Sequence, residues 1–337
     1  MSEKFRCFSV LAAVIVLIVQ VGAGTTMYYN APPNSNGIDA NVINFISAAT
    51  SKLDIAIYSI SHQGIVDAIL AAKGRGVVVR MVTETDNWNA SCDQLVAAGI
   101  SVVKDNAGGG GSGLMHNKFI IRDGGAVLTG SYNFTQTQTT SDKNAIVIFT
   151  SSTGLANIYT TEFNKMFVSK KFGTAKTTTT VDSTYVSGVN VRVYFSPKTS
   201  VTTKLNTAIG TANYSVWFDI FTFTDQTIAD KLIARKTAGV AVNGVFDRWQ
   251  ADGVYSKDEY LLNAGIPIRR DNYTGLLHEK LMAIDAGTTS APVGIVGSFN
   301  FTGAANTTND ENTVFIYGST VASSIKSNCS SVYNLSN

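Results

Sequence analysis

The sequence predicts an α/β protein built from two tandem copies of one α/β unit, and three observations predict it. A chemical phrase occurs twice: His116-Asn117-Lys118 with Asp123 and Gly130-Ser131-Tyr132-Asn133-Phe134-Thr135, then His278-Glu279-Lys280 with Asp285 and Gly297-Ser298-Phe299-Asn300-Phe301-Thr302. A matching order of strands, helices and glycine turns surrounds each phrase. The chain has 337 residues, 45% of them hydrophobic, enough for two units of roughly 150 residues each. It holds only three histidines, and two fall in matching frames, so composition does not account for the repeat.

The elements follow in order. Lys4 and Arg6 precede an apolar stretch from about Phe8 to Val21, and Gly22-Ala23-Gly24 supplies small residues. That stretch is shorter than the ~20 residues of a membrane span. Residues 1–24 therefore read as a signal peptide of a secreted, lumenal or periplasmic protein, the alternative being an uncleaved membrane anchor. The first unit covers 25–172. It opens on the strand Asp54 to Ile60, then a helix from about Gln63 to Lys73, the Gly74-Arg75-Gly76 turn, and the strand Val77 to Val82. Ala98-Gly99-Ile100 ends a helix and leads into a strand that precedes the motif. Residues 173–189 form a linker, opening on the polar run from Gly173 to Thr180. In the second unit, 190–337, Tyr214 to Phe223, a helix from about Gln226 to Thr237, Val240 to Phe246 and Ala264-Gly265-Ile266 repeat the order.

Composition narrows the partners. A net charge of +2 and a pI near 8.3 are weak for a dedicated nucleic-acid binder, yet they do not exclude single-stranded DNA or RNA held through a few lysines such as Lys104, Lys143 and Lys165. Removal of the leader takes Cys7 with it. Cys92 and Cys329 remain, free to pair in an oxidising compartment without a spacing rule that requires it. Gly108 to Gly111, with Ser112-Gly113, lacks the Lys-Ser/Thr of a phosphate-binding P-loop and reads as an entrance loop. His62 has no counterpart in the second half and reads as a surface residue, and Lys73 and Arg75 read as a solvated helix end. Asn89, Asn272 and Asn334 begin sequons, as do Asn133 and Asn300 inside the repeated motif.

Residues two apart on a strand face the same way, so His116 and Lys118 project together, as do His278 and Lys280. A nucleophile or proton carrier beside a fixed cation suits attack on an anion. Asp123 and Asp285 complete the motif; their odd spacing and turn positions make them structural carboxylates that fix a loop, with a part in the catalytic site left open. Ser131, Asn133, Ser298 and Asn300 supply hydroxyl and amide donors that, with the lysines, would hold the oxygens of a phosphate from two sides. Each unit supplies half a clamp. Trp88 and Trp249 occupy equivalent loops and either flank the substrate, stacking on bases or dipping into a lipid interface, or cover their own cores.

These paired His-x-Lys-x4-Asp motifs, each followed by Gly-Ser-x-Asn, resemble those of the phospholipase D superfamily over essentially everything after residue 25. The resemblance implies two pseudo-twofold phospholipase D-like lobes, each a mixed β-sheet flanked by helices, with the site at their interface. It also implies a two-step phosphodiester reaction without cofactor or metal. One histidine, in the family's usual order His116, attacks phosphorus to give a phosphohistidine; the other protonates the leaving alcohol and then activates water. Such proteins place a carboxylate beyond Gly-Ser-x-Asn to orient an imidazole. Aligning Asn309-Asp310-Glu311-Asn312 with Ser141-Asp142-Lys143-Asn144 puts Glu311 there in the second half, making His278 the better oriented ring. The same alignment puts Lys143 there in the first, with Asp142 as a substitute. The expected function is hydrolysis of phospholipid, with transient contact to a membrane surface and no obligate protein partner. The alternatives are a secreted endonuclease acting on DNA or RNA, and a degenerate, non-catalytic phosphate-binding protein.

Overall fold

The computed structural model describes residues 19–20, 24–30, 37–106 and 113–337. Most of the expected leader and the glycine run at 108–111 lie outside the described residues. In the first lobe the chain runs β1 (Val19–Gln20), β2 (Thr25–Tyr29), α1 (Ile38–Ser47), β3 (Lys52–Ile57), α2 (Gln63–Gly74), β4 (Val78–Thr83), α3 (Ala90–Ala97) and β5 (Ser101–Lys104). The motif hairpin β6 (Lys118–Arg122) and β7 (Ala126–Gly130) follows, then α4 (Gln136–Thr140), β8 (Ala145–Phe149) and α5 (Thr153–Phe167).

The second lobe repeats this. Strands β9 (Ser183–Val186) and β10 (Val189–Ser196) precede α6 (Val201–Gly210), β11 (Ser215–Ile220), α7 (Gln226–Thr237) and β12 (Ala241–Phe246). After α8 (Arg248–Ala251), α9 (Asp258–Asn263) and β13 (Ile268–Arg270) come β14 (Lys280–Ile284), β15 (Val293–Gly297), α10 (Gly303–Thr307), β16 (Glu311–Tyr317) and α11 (Ser319–Leu335). The expected linker is therefore ordered, and its later residues form the edge strand β9 against β10.

Among the described residues each sheet has eight strands, in the orders β1-β2-β8-β7-β6-β3-β4-β5 and β13-β12-β11-β14-β15-β16-β10-β9. Only β3-β4-β5 and β11-β12-β13 run parallel, so both sheets are mixed. The inner strand of each triplet, β3 or β11, is buried along nearly its whole length because helices cover its outer face. One apolar layer, with Leu53, Ile55, Val66, Ile69 and Leu95, packs α1, α2 and α3 outside the first sheet. Its counterpart, with Leu205, Val216, Phe218, Ile228 and Leu232, packs α6 and α7 outside the second. A third layer belongs to neither lobe alone. Phe119, Val147, Phe149, Tyr159 and Phe163 of the first half share it with Phe195, Leu281, Val296, Val314 and Ile325 of the second. At ~2 kcal/mol for each large apolar side chain removed from water, that layer joins the halves strongly.

One sequence reading changes here and one left open is decided. His62 is buried rather than a surface residue: its Nδ1 accepts from Ile65 N at 3.4 Å at the start of α2, and its Nε2 lies 3.5 Å from Asp39. Asp225 does the equivalent job for α7, accepting from the backbone of Thr227 and Ile228, so the missing counterpart is a different capping residue. Cys92 and Cys329 are both free and buried, each in its own lobe, and do not pair.

Candidate active site at the lobe interface

Just before β6, the segment Leu114 to His116 forms its β-bridge with the other lobe. His116 N donates to Asp310 O at 3.0 Å, and Asp310 N donates to Leu114 O at 2.8 Å, a short parallel bridge into the second half. The mirror-image bridge runs from Lys143 N to Leu276 O at 2.8 Å and from His278 N to Lys143 O at 2.9 Å. Inside its own lobe each histidine is steadied by the residue before it: Met115 N donates to Glu84 Oε2 at 2.7 Å and Leu277 N to Asp247 Oδ2 at 2.8 Å. Glu84 and Asp247 stand at the ends of equivalent parallel strands, where such sheets gather functional groups. Burial, with Asp105 close by and the Met115 amide opposing, pushes Glu84 up to about 7.

The crossed bridges decide what holds each imidazole. His116 Nδ1 lies 2.9 and 2.8 Å from the two carboxylate oxygens of Glu311. His278 Nδ1 lies 3.1 Å from Asn144 Oδ1. This corrects the sequence alignment in two ways. The position matching Glu311 is Asn144, not Lys143: each lies fourteen residues after the glycine of Gly-Ser-x-Asn. And Glu311 orients the histidine of the other half, so His116, not His278, has the carboxylate. Asp142 does not substitute; it accepts from Leu276 N at 3.0 Å and Gln138 Nε2 at 2.8 Å.

Proton placement follows from the partners. An ionised carboxylate only accepts, so His116 donates from Nδ1 and keeps the lone pair on Nε2, which has no protein partner among the described residues. The Asn144 amide donates to the carbonyls of Gln138 and Asp142, which leaves its oxygen to accept from His278 Nδ1 and from Ser131 Oγ at 3.0 Å. Ser131 Oγ also accepts from Ala145 N, and Ser298 Oγ accepts from Asn312 N, both at 3.1 Å. The two serines, read from sequence as phosphate donors, thus brace the strands that carry the ring partners. Their glycines are required by close approach: a Cβ on Gly130 would sit 2.1 Å from Ala145 O, and one on Gly297 2.2 Å from Asn312 O.

Lys118 and Lys280 are buried, and each Nζ donates to the carbonyl of its own motif histidine at 2.7 Å. Burial, opposed by Glu311, brings Lys118 down to about 7; burial and the neighbouring Lys118 hold Lys280 well below the usual lysine range. Burial, with Lys118 and Lys280 adding to it and Glu311 opposing, takes His116 down to about 4. His278 is also held well below the ordinary value, by burial and then by Lys280, Lys118 and His116. The four side chains form one electropositive, desolvated site that an anion would relieve. Tyr58 lies edge-on to His116 and Phe221 tilts against His278, both at 4.8 Å between ring centroids, and each ring also lies 4.8 Å from its motif lysine. Among the described residues, Asn133 and Asn300 each leave a buried Oδ1 without a partner. Tyr58, Phe221 and Asn144 were not singled out from sequence; the first two directly follow β3 and β11, at matching places in the repeat.

Asp123 and Asp285 lie elsewhere, at the far ends of β6 and β14. Asp123 accepts from the backbone of Thr50, Ser51 and Lys52, and Asp285 from that of Asn213, Tyr214 and Ser215. Neither touches a motif histidine or lysine. Glu279, between His278 and Lys280 in sequence, accepts from Asn328 of α11 at 2.8 Å instead of entering the site.

The rim is unequal. Trp88 packs on its own core, donates to Asp93 at 2.8 Å and lies under Lys104 at 3.8 Å. Trp249 is 53% exposed on the short helix α8, and the turn that follows it presents Val254 at 89% and Tyr255 at 75%. All three lysines considered for nucleic acid are engaged: Lys104 on Trp88, Lys143 with Asp271 at 2.6 Å, and Lys165 with Glu162 at 2.9 Å.

With this geometry in hand, the family described as cardiolipin synthase, PLD-like domain, matches residues 42–167 and 205–332. A mitochondrial cardiolipin hydrolase of Xenopus tropicalis is 31% identical over 138 residues, 40% of this chain and 63% of that protein, so the match spans about three fifths of that relative's length. A phospholipase D of Rickettsia bellii (strain RML369-C) is 32% identical over 143 residues, 42% of this chain and 69% of that protein. The phosphatidylserine synthase of Haemophilus influenzae Rd KW20 shares the fold at a TM-score of 0.68 and 13% identity, over 92% of this chain and 87% of that one.

Proposed function

The chain belongs to the phospholipase D-like family, and from that premise we propose that it hydrolyses phospholipid phosphodiesters through a phosphohistidine formed on His116, without a metal. The observation that carries this reading is the unequal pair of ring partners, Glu311 on His116 and Asn144 on His278. A phosphorylated imidazole that retains its Nδ1 proton is a cation, and a carboxylate at Nδ1 stabilises it where an amide does not. In the first step the Nε2 lone pair of His116 attacks phosphorus, the P–O bond to the leaving alcohol breaks, and that oxygen takes a proton from His278. In the second, neutral His278 takes a proton from water, the water oxygen attacks phosphorus, and the P–N bond breaks to release the phosphomonoester. Lys118 and Lys280 neutralise the phosphoryl oxygens throughout. An incoming anion opposes the depression of His278 and so favours the protonated form that the first step needs, while His116 enters that step with its Nε2 lone pair free.

Two observations favour phospholipid over nucleic acid. The three lysines weighed for a nucleic-acid strand, Lys104, Lys143 and Lys165, are committed to internal partners, and Trp249 of α8 with the turn after it offers an apolar, aromatic rim of the kind that enters a bilayer interface. The test presents phosphatidylcholine vesicles and labelled single-stranded DNA together in EDTA, with His116→Ala and His278→Ala as controls. Headgroup release lost in both variants is expected; DNA cleavage lost in both would replace lipid by nucleic acid. Trp249→Ala combined with Tyr255→Ser is expected to weaken turnover of vesicles about tenfold while leaving a soluble diester unaffected, and equal loss on both substrates would remove the rim from the argument.

A further inference from the structure

The two histidines are anchored differently beyond their ring partners, and the difference lies in the linker. Asp310 occupies the position equivalent to Lys143, immediately before the ring partner in each half. Lys143 is held inside the second lobe's loops by Asp271 at 2.6 Å. Asp310 is instead gripped by the linker. Gly173 N donates to both its carboxylate oxygens, at 2.9 and 3.0 Å, and Lys176 Nζ lies 2.6 Å from Oδ1. Lys176 is 3% exposed and also pairs with Glu162 of α5, whose second oxygen takes Lys165 at 2.9 Å and Thr179 Oγ1 at 2.8 Å. From there the path is short: the backbone of Asp310 makes both hydrogen bonds of the bridge to Leu114 and His116, and the next residue is Glu311.

We propose that Lys176 is a positioning residue for the His116–Glu311 pair, acting through Asp310, and that the linker thereby sets the geometry of one half of the site alone. A buried ion pair contributes little net stability but fixes the placement of the groups it joins, because either charge left unpaired is strongly disfavoured. Displacing Asp310 shifts both the carboxylate at Nδ1 and the backbone that carries the ring, while His278 keeps its own anchors, Asn144, Lys143 and Asp247. The inference rests on the proposed phosphodiesterase reading only for its kinetic arm.

The test uses the whole chain with its three histidines labelled with 15N in the ring, assigned through His62→Ala, His116→Ala and His278→Ala. Lys176→Met is compared with Glu311→Gln, and because the single variant leaves Asp310 and Glu162 short of a cation, the double Lys176→Met/Asp310→Asn, which removes opposite charges together, is run beside it. The expected result is a shift of the His116 ring nitrogens and of its titration in the direction seen for Glu311→Gln, with the His278 signals unmoved. Unchanged His116 signals in the folded double variant, or equal changes at both histidines, would overturn the proposal. On bis(p-nitrophenyl) phosphate, Lys176→Met is expected to lower kcat about tenfold with KM unchanged, and to add nothing further in a Glu311→Gln background. Additive losses would mark Lys176 as merely structural. A wild type inactive on this diester but showing the ring shifts would count against the proposed activity and for the positioning role.

Discussion

At the scale of single residues, the molecule's chemistry turns on one carboxylate and one amide. Glu311→Gln removes the anion from Nδ1 of His116 while keeping a hydrogen-bond acceptor of the same shape. Turnover is expected to fall about 10- to 100-fold, and the phosphohistidine trapped by acid quench should fall with it; an unchanged rate would show that the carboxylate is dispensable. Asn144→Asp places a second carboxylate at His278 and raises that imidazole's affinity for a proton. A general acid that holds its proton to higher pH moves the basic limb of the pH–rate profile upward, and a limb that stays in place or moves down would contradict His278 as the acid. The motif histidines and lysines were legible in the sequence because duplication marked them. Their ring partners were not. The recurrence of asparagine at 144 and 312 drew the two tails into a register one residue out, whereas the true register is fixed by Ser131 and Ser298 accepting the amides of Ala145 and Asn312. Counting from the two glycines would have found it. That the partners cross between halves has no local signature at all, since bridges between segments 195 and 134 residues apart are tertiary facts.

Among the elements, the motif aspartates show how a chemical phrase combines site and scaffold. Asp123 and Asp285 sit in matching left-handed turns, at φ 51° and 49°, and each gathers the amides that open the central strand of its sheet. Parity along the strand anticipated this separation from the histidines. Burial raises the Asp123 carboxyl, but the amides of Lys52, Thr50 and Ser51 outweigh it and hold the group well below the usual aspartate range. A depressed carboxyl stabilises the fold above the unfolded value of 3.8 and loses that contribution as pH falls below it. Asp123→Ala is therefore expected to cost about 2 kcal/mol at neutral pH, with the gap to wild type narrowing on acidification in urea unfolding curves. A gap independent of pH would assign the loss to the turn's backbone rather than to the charge. Helix starts and ends were read closely, α2 and α7 above all, because their caps and glycine turns are local signals; the burial of His62 was missed because histidine is an uncommon cap.

For the molecule as a whole, the shared apolar layer and the crossed bridges make the two lobes one folding unit. Calorimetry is expected to show a single transition whose calorimetric and van't Hoff enthalpies agree. Two resolved transitions would mean that the lobes unfold independently and that the layer between them is weaker than its burial implies. The pseudo-twofold arrangement was legible from the repeat, but the depth of contact was not, because the residues of the shared layer read in sequence like any sheet face. The exchange of ring partners has one more consequence. Were the same site assembled from two separate, identical chains, the residue serving one histidine would have to be the residue serving the other, and any change to it would strike both at once. Joining the halves in a single chain lifts that constraint: position 144 and position 311 mutate independently, and symmetry no longer dictates that the two histidines share a fate.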